Sequence, residues 1–238
     1  MKKQILIECG IRYSEVGTRN FVVLILPGGG DSYVAYFPLQ DGLVAKNQDL
    51  RVLMIDLLGI IDDSPTIISP EEWGILLNEF IDQVIGKDKF VLVAHSLGTM
   101  VGAQYLKYAN KNDRCEKVIF FNQGLANNYI EYLIMYAIFG TLRLVRALPT
   151  GMKWMENKVS FDTARALMND GYEKIQLTTP CVVILGRKDL LRCFLAGHKR
   201  LTPVEFLPKD WDHAPNKKNM PELIRVLEEL IRKIAPSS

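Results

Sequence analysis

The sequence predicts an α/β fold: a mostly parallel central sheet with helices on both faces. Four apolar runs of strand length, 21–26, 52–55, 90–94 and 118–121, show no in-and-out alternation. Such runs mark strands buried on both sides, as in a parallel sheet. Stretches with helical periodicity separate them, and this strand–helix alternation is how parallel sheets are connected. The chain has 238 residues, 48% of them hydrophobic, long enough to bury one sizeable core. A net charge of +2, with no basic run interleaved with aromatics, gives no ground for a nucleic-acid partner.

In chain order, 4–8 and 11–15 are expected to form a hairpin turning at Gly10. The run 21–26 is the first buried strand, and it ends in Pro27-Gly28-Gly29-Gly30, bare backbone that a ligand can approach closely. No Lys-Ser/Thr follows the glycines, so the loop does not fit a phosphate cradle. An irregular helix is expected over 32–45, then a strand at 52–55 that ends at Asp56. Ser69-Pro70-Glu71-Glu72 is a helix start, with an N-cap serine, proline at the first position and Glu72 placed for a capping box. Trp73, Leu76, Leu77, Phe80, Ile81 and Val84 continue it as one apolar stripe until Gly86. Strands at 118–121, 180–186 and 204–207 and a last amphipathic helix from about Pro221 complete the core. Right-handed crossovers bring the ends of the parallel strands, with Gly28, Ser96 and Asn122, to one sheet edge.

The stretch Phe90-Val91-Leu92-Val93-Ala94-His95-Ser96-Leu97-Gly98 organises the rest. An apolar strand runs into a serine flanked by small residues, and a helix begins at once. It resembles the nucleophile elbow of the α/β-hydrolase family, G-x-S-x-G, with Ala94 in place of the first glycine. That resemblance makes Ser96 the candidate nucleophile. It extends to Gly186-x-x-Asp189, which is similar to the family's acid loop, and to Asp212-His213-Ala214-Pro215, which is similar to its G-H-x-P histidine loop. The order Ser96, Asp189, His213 is the family's order of nucleophile, acid and histidine. The resemblance implies a Ser-Asp-His triad, an oxyanion hole from the N–H groups of Gly29 and Leu97, and no metal or organic cofactor. It also implies a small helical cap, 125–177, inserted after the sixth strand into a core of 1–124 and 178–238.

A serine hydroxyl is a poor nucleophile until a base takes its proton, and an imidazole can take and return one near neutral pH. A carboxylate fixes the tautomer of that imidazole and stabilises its charged form. The expected activity is therefore hydrolysis of a small or medium apolar carboxylic ester through an acyl-enzyme. The same triad serves a thioesterase or a carbon–carbon bond hydrolase, and the same fold can carry a ligand-binding protein without catalysis. Gly28, Gly30, His95, Tyr129 and Tyr136 are candidate substrate-binding residues. The cap reads as helices only, apolar nearly all round over 133–142, yet Glu131 and Arg143 bound it too closely for the roughly 20 apolar residues of a membrane span. Four scattered cysteines without C-x-x-C spacing, and no signal-peptide pattern, fit a cytoplasmic protein with reduced thiols. The expected partner is a small-molecule substrate, with the chain a monomer or homodimer.

Overall fold

Cys9 and Gly10 both take left-handed backbone, φ 51° and 73°, and this turn folds strand β1 (Gln4–Glu8) back on β2 (Ile11–Val16). Two successive positive φ values match the right-handed twist of the flanking strands. The structure is a computed structural model and describes residues 4–18, 21–29, 33–108, 114–123, 129–146, 148, 153, 155–169, 175–176, 178–189, 201–202, 205–212, 216 and 218–234.

After the hairpin come β3 (Phe21–Leu26), a short 3-10 turn, α1 (Phe37–Lys46), β4 (Leu50–Ile55), α2 (Leu57–Asp63), α3 (Pro70–Phe80) and β5 (Phe90–Ser96). Then follow α4 (Leu97–Tyr108), β6 (Cys115–Gln123), α5 (Tyr129–Leu144), α6 (Lys158–Asn169), β7 (Ile175–Gln176) and β8 (Cys181–Gly186). The chain continues through β9 (Leu201–Thr202), β10 (Glu205–Lys209) and α7 (Met220–Arg232). Eight strands form one sheet in the order β1-β2-β4-β3-β5-β6-β8-β10. The β1–β2 and β2–β4 pairs are antiparallel and all the others are parallel. Helices α5 and α6 follow the sixth strand, where the sequence places the cap.

Side chains on the parallel strands alternate between two cores. Val22, Leu24 and Leu26 of β3 and Phe90, Leu92 and Ala94 of β5 face one core with Trp73, Leu77 and Phe80 of α3. Val23, Ile25, Val91 and Val93 face the other, with Leu39 and Leu43 of α1 and Leu223, Val226 and Leu227 of α7. Both faces of β3 and β5 are covered, so their sequence is continuously apolar. The buried amide of Gln40 locks α1 to the sheet: Nε2 donates to the carbonyls of Ser14 and Val52, and Oε1 accepts from Ser14 Oγ. A buried amide with its partners supplied fixes the helix rather than weakening the core.

Helix α3 has the expected capping box. Ser69 Oγ accepts from the Glu72 N–H at 3.2 Å, and Glu72 Oε2 accepts from the Ser69 N–H at 2.6 Å. The hydrogen bond from the Ser69 backbone, then that from its side chain, hold the Glu72 carboxyl below its ordinary value. A single π-helical turn, Ile81–Ile85, ends at Gly86 with φ 66°.

Helix α2 follows β4 directly; Asp56 caps it by accepting from the Gly59 N–H and also binds Arg12 Nε at 2.8 Å. Two expectations need correction. The stretch 125–177 is not wholly helical, because Ile175–Gln176 pairs with Leu201–Thr202 in a separate two-stranded sheet. The last strand runs over Glu205–Lys209, not 204–207, with Pro208 tolerated because β10 is an edge strand. Among the described residues no helix is long and apolar enough to cross a membrane.

Candidate active site

Strand β5 ends at Ser96 and helix α4 begins at Leu97, so the turn between them has no length of its own. Ser96 makes the reversal with φ 46°, in the left-handed region. For a residue with a Cβ that conformation costs on the order of 1–3 kcal/mol and persists only where the surroundings impose it. Thr99 Oγ1 donates to the Ser96 carbonyl at 2.6 Å, and the β5–β6 register shifts between His95 and Ser96 as the strand leaves the ladder. Ser96 is half-buried between buried His95 and Leu97.

Gly98 lets the elbow close. A Cβ there would lie 2.2 Å from the carbonyl oxygen of Leu26 and 2.6 Å from its carbon, both backbone atoms at the end of β3. Gly98→Ala must push α4 off β3, and overpacking of this kind costs about 1–3 kcal/mol or more. The expected result is a fall in Tm of several degrees with loss of soluble yield, read by thermal denaturation.

The glycine loop lies against the elbow because Leu26 of β3 pairs with Ala94 of β5. A Cβ on Gly28 would sit 2.5 Å from His95 Nδ1, so only glycine lets the backbone ride over that ring. The Gly28 N–H donates to Tyr36 Oη at 2.9 Å, and Tyr36 Oη lies 2.5 Å from His95 Nδ1. A phenol that accepts from Gly28 can donate its own proton to the imidazole, which satisfies all three groups. His95 is buried and stacks on Phe121, with ring centroids 4.6 Å apart and planes at 23°. This candidate substrate-binding residue is thus a prop beneath the loop. The Gly28 N–H is taken up by Tyr36, whereas Leu97 is the first residue of α4, where helix N–H groups have no intrahelical acceptor.

Asp189 is buried at 3% exposure and lies three residues beyond the end of β8. Its loop is stitched to the segment after β10. The Arg187 N–H donates to the Lys209 carbonyl at 2.7 Å, the Lys188 N–H to the Trp211 carbonyl at 3.1 Å, and Lys188 Nζ pairs with Asp210 at 2.7 Å. Trp211 Nε1 donates to Glu222 Oε2 at 2.7 Å, tying that segment to the first turn of α7. Asp212 is exposed. His213 and Gly30 lie outside the described residues.

Tyr36 and Asn122 also belong to this edge; strand order alone places Asn122 there without assigning it a role, and Tyr36 carries no motif. The candidate substrate-binding tyrosines are on α5. Tyr136 packs on α6, its ring 5.9 Å from that of Phe161 and 5.6 Å beneath the Arg165 guanidinium, and Tyr129 is more than half exposed. Burial pushes the Cys115 and Cys181 thiols up to about 12, so neither is a nucleophile at neutral pH. Among the described residues there is no group of three or more His, Cys, Asp or Glu that could hold a metal ion.

A family model described as the alpha/beta hydrolase fold matches residues 22–179. No curated protein matches the chain significantly in sequence. Among solved structures, a thermophilic esterase from Thermogutta terrifontis superposes with a TM-score of 0.67 at 16% identity, covering 98% of this chain and 99% of that one. An epoxide hydrolase from Vigna radiata superposes at 0.65 and 16% identity, over 98% of both chains. The thioesterase domain from the curacin biosynthetic pathway does so at 0.64 and 15%, over 98% and 99%. At these identities the likeness speaks to the fold.

Proposed function

The chain belongs to the α/β-hydrolase fold family, and on that premise we propose that it is a serine hydrolase cleaving a small or medium apolar carboxylic ester. The observation that carries this reading is Ser96 held at φ 46° on the strand–helix junction. Strain of this kind clusters at functional sites, and the carboxyl edge of a parallel sheet is where such sheets bind their ligands.

In this mechanism His213 takes the Ser96 proton as Oγ attacks the ester carbonyl. The oxyanion of the tetrahedral intermediate is bound by the N–H groups of Gly29 and Leu97. Collapse expels the alcohol, protonated by His213, and leaves an acyl-Ser96 ester. Water, deprotonated by the same imidazole, then releases the acid, with Asp189 stabilising the imidazolium in both halves. The chemistry calls for neither metal nor organic cofactor. An epoxide is a poor substrate for a serine nucleophile, because ring opening by Oγ would leave an ether that water cannot cleave. The apolar exposed side chains of α5, Leu133, Ile134 and Ile138, support an apolar acyl group. The buried free thiols of Cys115 and Cys181 support a reducing compartment such as the cytoplasm.

The test is hydrolysis of p-nitrophenyl esters of increasing acyl length. Ser96-dependent turnover with an optimum at short or medium chains is expected. Turnover of acyl thioesters alone would move the reading to a thioesterase, and no turnover of either would move it to a carbon–carbon bond hydrolase and then to a ligand-binding protein.

A further inference from the structure

The geometry points to Asn122 as a positioning residue that holds the acid loop and the histidine loop in one register. This inference rests on the triad reading above. Asn122 lies near the end of β6, is 3% exposed, and has φ 44°. Asparagine is among the few residues with a side chain that adopt left-handed backbone readily. From there its amide reaches two different strands. Oδ1 accepts from the Gly186 N–H at 2.7 Å, and Nδ2 donates to the Asp212 carbonyl at 2.7 Å. The partners fix which end of the amide is which, since a carbonyl cannot donate and an N–H cannot accept.

Strand order makes the span possible. β6, β8 and β10 are consecutive neighbours, so one side chain from β6 can touch the end of β8 and the backbone just past β10. Gly186 begins the turn that carries Asp189, whose N–H closes back on the Gly186 carbonyl at 3.2 Å. Asp212 immediately precedes His213. One amide therefore pins the backbone three residues before the acid and one residue before the base. Gly186 has no room to spare: a Cβ would lie 2.8 Å from Asn122 Oδ1 and 2.5 Å from the Trp211 carbonyl oxygen. Neither a carboxylate nor a hydrocarbon can do this, because the site needs one acceptor and one donor about an amide's width apart.

The clamp is tested in the full chain with Asn122→Gly, which adopts φ 44° without strain and removes both arms, and Asn122→Asp, which keeps shape and the acceptor. For Asn122→Gly, kcat on the best p-nitrophenyl ester should fall about 10²-fold, the scale of a small misplacement of catalytic groups, with KM changed less than threefold. For Asn122→Asp the deficit relative to wild type should widen as pH rises. A protonated carboxyl can still donate to the Asp212 carbonyl, whereas an ionised one repels it. Hydrogen exchange should quicken in peptides covering 186–189 and 210–212 while 21–26 and 90–96 keep their protection. A kcat within threefold of wild type in both variants, or unchanged exchange in the two loops, overturns the proposal. If wild-type turnover proves independent of Ser96, the hydrolase reading fails instead, and the exchange measurement still decides whether Asn122 clamps the loops.

Discussion

Ser96→Ala should lower ester turnover by a factor on the order of 10⁶, to the level of the oxyanion site and binding alone, the scale seen when the serine of such a triad is removed. Only Oγ is lost. The backbone keeps its left-handed turn, since alanine at φ 46° bears about the same strain as serine, and the turn is imposed from outside by Gly98 on Leu26 and by Thr99 on the Ser96 carbonyl. Folding should therefore be retained, with Tm shifted by no more than a few degrees. The measurement pairs p-nitrophenyl ester kinetics with labelling by a fluorophosphonate, read as intact mass. Wild type should gain one phosphonyl group and Ser96→Ala none. Undiminished turnover in the variant would place the nucleophile elsewhere, and labelling without turnover in wild type would describe a receptor with a reactive serine.

Much of the fold was legible because its strongest elements are locally consistent. β3 and β5 are apolar on both faces, α3 carries its own capping box, and α7 buries Leu223, Val226, Leu227, Leu230 and Ile231 as one stripe. What escaped the sequence depends on partners far along the chain. Helix α2 is two turns long and contains Gly59; its N-cap Asp56 is held by Arg12, 44 residues away in sequence. No local pattern announces it. Strands β7 and β9 are two residues each, too short for any periodicity. Tyr36 reaches His95 across 59 residues, and Asn122 reaches Asp212 across 90. A motif reports a residue whose neighbours in sequence constrain it, as at Ser96. A clamp between strands becomes visible only when the sheet order β6-β8-β10 is known.

The acid can be tested in the same way, and here two neighbouring aspartates give opposite expectations. Asp189→Asn should slow kcat/KM by about 10⁴, because an amide of the same shape can no longer stabilise the imidazolium and can hold the ring in the wrong tautomer. Asp189 is 3% exposed on a turn fixed by Gly186, Lys188 and Trp211, so the isosteric change has little freedom to rearrange. Asp212→Asn should leave kcat/KM within a few fold. That carboxylate is exposed, with Oδ2 3.5 Å from the Asn216 amide, and its main chain rather than its side chain meets Asn122. Both variants are read by the pH dependence of kcat/KM on one ester. A loss below tenfold at Asp189 together with a large loss at Asp212 would transfer the acid role to the residue beside His213. Sequence argues against that transfer, since Asp212 adjoins His213 too closely for its carboxylate to orient that ring easily.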